Sequence, residues 1–310
     1  MFKKKRYLRQ NKRMKSVVFA TLTFMFSMLL ACSSDAENPN GGEETETEVD
    51  RTGNLLSTGA SANDILSNAR FDRLLIEIAF VEGFRPSPVT MNAFEEFLRE
   101  NTFKQNIELT YKELPPTGEE SLTLTQIDSL EQANRTAYNT GSTLAIYIFF
   151  ADAPSDGDDL EEGLVTLGAV FRNTSMVIYE RTVRTLANRS LSLLISDVET
   201  ATLNHEFGHL FGLVNLGTVP INDHEDPDAP FHCSENPCLM RAELQFGTSG
   251  KAFVQRKHAN DVHSSCSLNG LNLIQTMENR VARGIAAAPG LDPECLRDLE
   301  SNGGRPSTNN

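Results

Sequence analysis

Alternating strand-like and helix-like segments predict an α/β fold with a mixed, mostly parallel five-stranded sheet. Two apolar runs, residues 74–81 (LLIEIAFV) and 143–150 (TLAIYIFF), suit strands buried on both faces. Segments of helical period stand between the strands. A further helix, expected to start near Asp197, carries His205-Glu206-Phe207-Gly208-His209.

In chain order, ordered structure is expected from about Leu55. Strand 74–81 is followed by a helix over 89–101, where Val89, Phe94, Phe97 and Leu98 recur at helical spacing. Residues 107–114 read as a second strand. Ile127, Leu130, Ala137 and Tyr138 mark a helix over 125–138, and 143–150 is the strand expected at the sheet centre. Residues 152–163 carry six carboxylates without the ligand spacing of a known calcium loop, so they read as a solvated loop. Strands 165–171 and 176–179 are joined by a turn at Arg172-Asn173-Thr174. Ser196 with Glu199 resembles a capping box. Leu203, Phe207, Leu210 and Val214 give the next helix an apolar stripe, and Gly212 stands where it must stop. The remainder reads as an irregular, helical C-terminal part.

The first 31 residues are expected to be a signal peptide. Eight positive charges precede an apolar run over 16–30, too short to span a membrane comfortably. The run ends in Leu29-Leu30-Ala31-Cys32, which resembles the bacterial lipobox, so Cys32 is expected to carry lipid. Residues 32–52 read as a flexible acidic tether, similar to those of surface lipoproteins in Bacteroidota. Residues 53–310 are expected to form one catalytic domain, with an N-terminal subdomain over 53–213 and a C-terminal one over 214–310. The expected location is outside the cytoplasm, anchored by the lipid to an outer membrane. Setting the signal's eight charges against the 28 basic residues of the whole chain leaves 20, with 42 acidic residues, a formal net charge of −22. Such a surface argues against nucleic-acid binding.

Two histidines at i and i+4 lie one helical turn apart on one face, so His205 and His209 can converge on one zinc ion. Glu206 is placed to take a proton from a zinc-bound water. The string His205-Glu206-x-x-His209-x-x-Gly212 resembles the first part of the metzincin signature. That signature would put a third ligand at Asn215, a poor zinc ligand. Further on, His232-Cys233-Ser234-Glu235-Asn236-Pro237-Cys238-Leu239-Met240 resembles the HC-x4-C-x-M string of the archaemetzincins. The resemblance implies a zinc peptidase acting on peptide or protein, with His232 as third ligand and Met240 as the Met-turn residue. His232 stands 17 residues beyond Asn215; His224 is the rival ligand. Archaemetzincins carry a second CxxC pair and bind a second zinc, and no CxxC exists here. With Cys32 lipidated, four cysteines remain, and in an oxidising compartment two disulfides, Cys233–Cys238 and Cys266–Cys295, are expected over the alternative, a zinc site built from all four thiolates. Resemblance also implies that strand 165–171 is a sheet edge to which an extended peptide adds, and that residues 241–247 wall the specificity pocket. His258 and His263 are given no role. Two alternatives stand beside the peptidase: a non-catalytic zinc-containing surface protein, and a zinc hydrolase of a non-protein amide.

Overall fold

Side chains alternate between the two faces of a strand, and the central strands here are apolar on both. A 3-10 turn (Thr52–Asn54) and α1 (Ala62–Leu66) lead into β1 (Arg73–Val81). Leu74, Ile76, Ile78 and Phe80 of β1 join the larger core, while Ala79 and Val81 join a second core on the opposite face. Then come α2 (Pro88–Asn101), β2 (Asn106–Leu114), α3 (Leu124–Asn134) and β3 (Thr143–Phe150). In β3, Leu144, Ile146, Ile148 and Phe150 face the larger core; Tyr147 and Phe149 face the smaller one beside Ile127 of α3. The chain continues through β4 (Leu164–Arg172), β5 (Ser175–Ile178), α4 (Glu180–Ala187) and α5 (Ile195–Leu210). The C-terminal part adds β6 (Glu225–Asp226), β7 (Ala229–Cys233), β8 (Ser264–Asn269), α6 (Gly270–Ala282) and α7 (Pro293–Ser301).

This computed structural model describes residues 49–159, 161, 163–242 and 264–307, with only the backbone of 264–269. The expected signal segment, Cys32, His258, His263 and residues 243–247 lie outside the described residues. The described residues belong to one compact unit. Among the described residues no helix is long and apolar enough to cross a membrane.

The main sheet has the order β2-β1-β3-β5-β4-β8. β2, β1, β3 and β5 are mutually parallel, and β4 runs antiparallel to β5. These five strands form the mainly parallel sheet expected from the sequence. A sixth corrects one expectation. β8 pairs antiparallel with β4, so residues 165–171 are not a free sheet edge. The row of backbone donors and acceptors that an edge strand leaves open is taken by the chain's own segment. That segment, SSCSLN, has only Cys266 and Leu268 as apolar residues, too short an alternation to announce a strand.

Three further differences have local causes. α3 ends at Asn134, before the expected Tyr138, because the backbone N–H groups of Thr136 and Ala137 donate to the buried Glu77 carboxylate at 2.9 and 2.8 Å. Arg135 turns inward there, pairing with Glu131 at 2.7 Å. The acidic stretch over 152–163 is tied down: Asp152 accepts from the Thr117 hydroxyl (2.6 Å) and Asp158 from the Thr166 N–H (2.7 Å). Finally, α5 is not started by the Ser196–Glu199 pair. Asp197 accepts from the Leu194 N–H at 2.8 Å, and Glu199 is buried.

Glu199 instead ties α5 to α2, accepting from the Ser87 N–H (3.0 Å) and the Thr90 hydroxyl (2.6 Å). Phe207 meets Phe94 edge-on at 5.1 Å and Phe211 stacks on Phe97 at 5.8 Å, so α5 is packed firmly behind the sheet. From α4, Glu180 presses against Glu199. Burial, then the hydrogen bond and charge of Glu199, push the Glu180 carboxyl up to about 9, against the opposing pull of Arg184. The Glu180 carboxyl is therefore held toward its protonated form at neutral pH. With a folded value above the ordinary 4.5, Glu180 supports stability fully only below about 4.5, and that support is lost as pH rises toward about 9. Glu180→Gln, which keeps an N–H for Glu199 and an acceptor for Arg184, should flatten the decline in urea-unfolding stability between pH 5 and 9. A decline as steep in the variant as in the wild type would show that the Glu180 proton is not involved.

Candidate metal centre

Helix α5 carries His205, Glu206 and His209 because the opposite face of the same helix is apolar and buried. The structure brings His232, from β7, to these two. One ring nitrogen from each of His205, His209 and His232 lies within 4.8 Å of the others. Ring centroids are 4.9, 5.3 and 5.1 Å apart, and all three rings are buried. Burial drives every one of them toward the neutral form. His205 falls to about 4, and His232, further lowered by His205, to about 3; His209 falls well below its ordinary value. Neutral imidazole is the form that ligates a metal.

The ring orientations agree with that chemistry. His205 Nδ1 lies 2.7 Å from the Leu239 carbonyl oxygen, and His232 Nδ1 lies 2.9 Å from the Pro230 carbonyl oxygen. A carbonyl only accepts, so each Nδ1 carries the proton and each Nε2 keeps its lone pair. The donor set therefore fits a zinc ion: three neutral imidazoles of this kind are a known zinc ligand set.

Two glycines allow the close packing. Gly212 (φ +74°) ends α5, with the Leu213 N–H reaching the Gly208 carbonyl and the Gly212 N–H the His209 carbonyl. At Gly208, between the two histidines, any Cβ would overlap the Met240 sulfur. Met240 is thus packed against the helix turn that carries His205 and His209, and its neighbour Leu239 supplies the carbonyl that holds the His205 ring.

The other ligand candidates lie elsewhere. Asn215 is exposed, and its amide donates to Glu225 Oε2 at 3.1 Å. The other oxygen of Glu225 accepts the Phe231 N–H at 2.6 Å. So the residue at the signature's third-ligand position helps to tie down the segment that delivers His232. His224 is buried, with Nε2 2.8 Å from Asp298 Oδ2 and Nδ1 3.4 Å from Cys233 Sγ.

The expected disulfides are corrected by this second cluster. Cys233, Cys238 and Cys295 are free, buried thiols. Cys295, expected to pair with Cys266, instead lies with its sulfur 3.5 Å from that of Cys238, expected to pair with Cys233. The Cys266 side chain lies outside the described residues. The physical reason is convergence. The N-terminus of α7 delivers Cys295 and its capping Asp292 to the same place as the 233–238 turn, so three sulfurs meet where a disulfide joins two. Donor atoms of His224, Cys233, Asp292 and Cys295 lie within 4.8 Å of one another, a second group able to hold a metal. Asp298 fixes the His224 ring as a carboxylate behind a metal-bound imidazole does.

No protein-family model matches the chain, and no curated protein matches it. Among solved structures, an archaemetzincin from Methanopyrus kandleri aligns over 75% of this chain and 97% of its own, at 14% identity and a TM-score of 0.40. A likeness that faint does not place the chain in a family.

Sequence reasoning missed Asp292, Asp298, Glu225 and the Leu239 carbonyl, all of which act through contacts between distant segments. Only Asp292, an acid just before Pro293, carried a local helix-start signal.

His232→Ala should weaken zinc binding by at least about tenfold, the size of effect set by losing even an outer-shell partner. Asn215→Ala should change it little. His224→Ala should leave zinc at the His205–His209–His232 trio while making the buried thiols reactive to a thiol reagent. Zinc titration of the three variants decides the assignment; unchanged affinity in His232→Ala would reject it.

Proposed function

We propose that the chain is a zinc-dependent peptidase in which His205, His209 and His232 hold the metal and Glu206 is the catalytic residue. The observation that carries this reading is the convergence of three buried, neutral imidazoles beside a buried glutamate on the same helix turn. Zinc so held supplies Lewis acidity to a carbonyl and lowers the pKa of a water. Glu206 then has the general acid–base role: its carboxylate takes the proton of the attacking water and returns it to the leaving amine. His205 and His232 are kept as Nε2 ligands by the carbonyls of Leu239 and Pro230. Met240 packs against Gly208 on that helix turn. Peptide as the substrate class rests on the likeness of residues 205–212 and 232–240 to the metzincin and archaemetzincin strings.

A second reading is favoured by one observation. Because β8 fills the outer edge of β4, an extended peptide has no open strand to join there. A zinc hydrolase acting on a compact, non-protein amide would not need one.

We also propose that the cluster of His224, Cys233, Asp292 and Cys295 holds a structural zinc, with the Cys238 thiol beside it. A mixed sulfur and imidazole set is what structural zinc takes. It would join α7 to the segment that carries His232 and Met240. The anchoring proposal stands on the lipobox-like string alone: lipid on Cys32 would hold the protein on an outer membrane.

Purified protein incubated with a mixed peptide library should yield new termini, and a chelator should abolish them. Glu206→Gln should retain zinc and lose at least about 100-fold in rate, the lower range for a general base. Absence of peptide cleavage by zinc-loaded protein, with hydrolysis of small amides, would move the assignment to the second reading. Separately, Cys32→Ser should shift the protein from the membrane fraction to the soluble one; sedimentation identical to the wild type's would reject the lipid anchor.

A further inference from the structure

Strand β4 passes against the turn of α5 that carries Glu206, and at Gly168 only backbone faces that side chain. A Cβ at Gly168 would lie 2.5 Å from Glu206 Cγ and 2.9 Å from both Cδ and Oε1. Carbon atoms at rest stand about 3.5–4.0 Å apart, so no side chain fits while Glu206 keeps its place. The backbone of Gly168 does not itself demand glycine, since it is not among the positive-φ residues. Close approach is what requires it. Gly168 is buried and pairs with Ile178 of β5, which fixes its position from the sheet side. On the other side the register slips: Thr166 opposes Ser267 and Ala169 opposes Ser265, so β4 uses one more residue than β8 across this interval. Gly168 falls in that interval. An extra residue bends a strand locally and re-aims its backbone. The register slip and the missing side chain coincide where β4 passes against the glutamate.

We propose that Gly168 is a positioning residue: the bulge in β4 and the bare glycine form a slot that fixes where the Glu206 carboxylate sits. The inference rests on Glu206 as the catalytic residue for its effect on rate, but the slot itself is a matter of packing and is tested apart from activity. Leu167, next to it, is held by the Tyr179 N–H at 2.8 Å, so the slot cannot widen freely.

The test is a double-mutant cycle on the full chain. Gly168→Ala should lower the melting temperature with Glu206 present. In Glu206→Ala, which lacks Cγ, Cδ and Oε1, the same substitution should lower it little or not at all. If Gly168→Ala alone fails to fold, restored folding in the double variant supports the slot, and failure there too overturns it. Equal losses in both backgrounds also overturn it. For peptide hydrolysis, Gly168→Ala should retain zinc and KM while kcat falls about 100-fold, the effect of displacing a catalytic group by about 1 Å; an unchanged kcat overturns the positioning role. Gly270→Ala is the control for packing alone, because its Cβ would meet Leu186 Cδ2 at 2.6 Å. It should lose stability and keep the kcat of the folded fraction. A chain that hydrolyses nothing would remove the peptidase reading and leave the melting-temperature cycle to decide the slot.

Discussion

Three imidazoles buried within 5.3 Å of one another cannot all carry charge in a protein interior, and most of the site's construction follows from that constraint. Burial keeps the rings neutral. A neutral imidazole has one N–H and one lone pair, and an unmatched N–H in the interior is unfavourable. Main-chain carbonyls at Leu239 and Pro230 accept hydrogen bonds from the Nδ1–H groups of His205 and His232. Once those protons are placed, the Nε2 lone pairs of His205 and His232 are on the acceptor side, the form in which imidazole binds a metal cation. The Leu239 carbonyl, bonded to His205, makes helix α5 and the segment 229–240 mutually dependent.

The rest of the fold holds those two parts in register. The sheet's larger core clamps α5 through Phe207 and Phe211 against Phe94 and Phe97 of α2. Glu199 and Glu180 fasten it at its start, and Gly212 ends it within one residue of where the chain must leave. The segment that returns with His232 is short of regular structure, so it is held by side chains. Glu225 links Asn215 to the Phe231 N–H, and the cluster of His224 with three thiols links it to α7. Asn215, a poor metal ligand, is thus a good partner for a carboxylate. His232, 17 residues beyond Asn215, is thereby returned to the helix turn of His205 and His209.

Much of this was legible in the residues themselves. The buried strands 74–81 and 143–150 announced themselves by unbroken apolar runs, and the helix carrying His205 and His209 by its apolar stripe. His232 could be chosen over His224 only through its distance to Met240, and the structure brings that residue to the pair. What the sequence concealed has a common physical cause. β8 has the composition of a loop, and its strand geometry comes from the open edge of β4. The expected disulfides followed from an even cysteine count and an export signal, whereas the fate of the thiols depends on Cys295, 57 residues from Cys238, and on an imidazole between them and Asp298. Gly168 gives no local sign of its role, since its importance lies wholly in what stands opposite.

The central claim is that the trio of His205, His209 and His232 holds zinc. X-ray absorption at the zinc edge of the purified, zinc-loaded protein tests it most directly. The expected spectrum has a nitrogen and oxygen shell at about 2.0–2.1 Å with the scattering of imidazole rings, beside a sulfur shell at about 2.3 Å from the thiol cluster. A spectrum with sulfur ligands alone, or protein that binds no zinc, would contradict it.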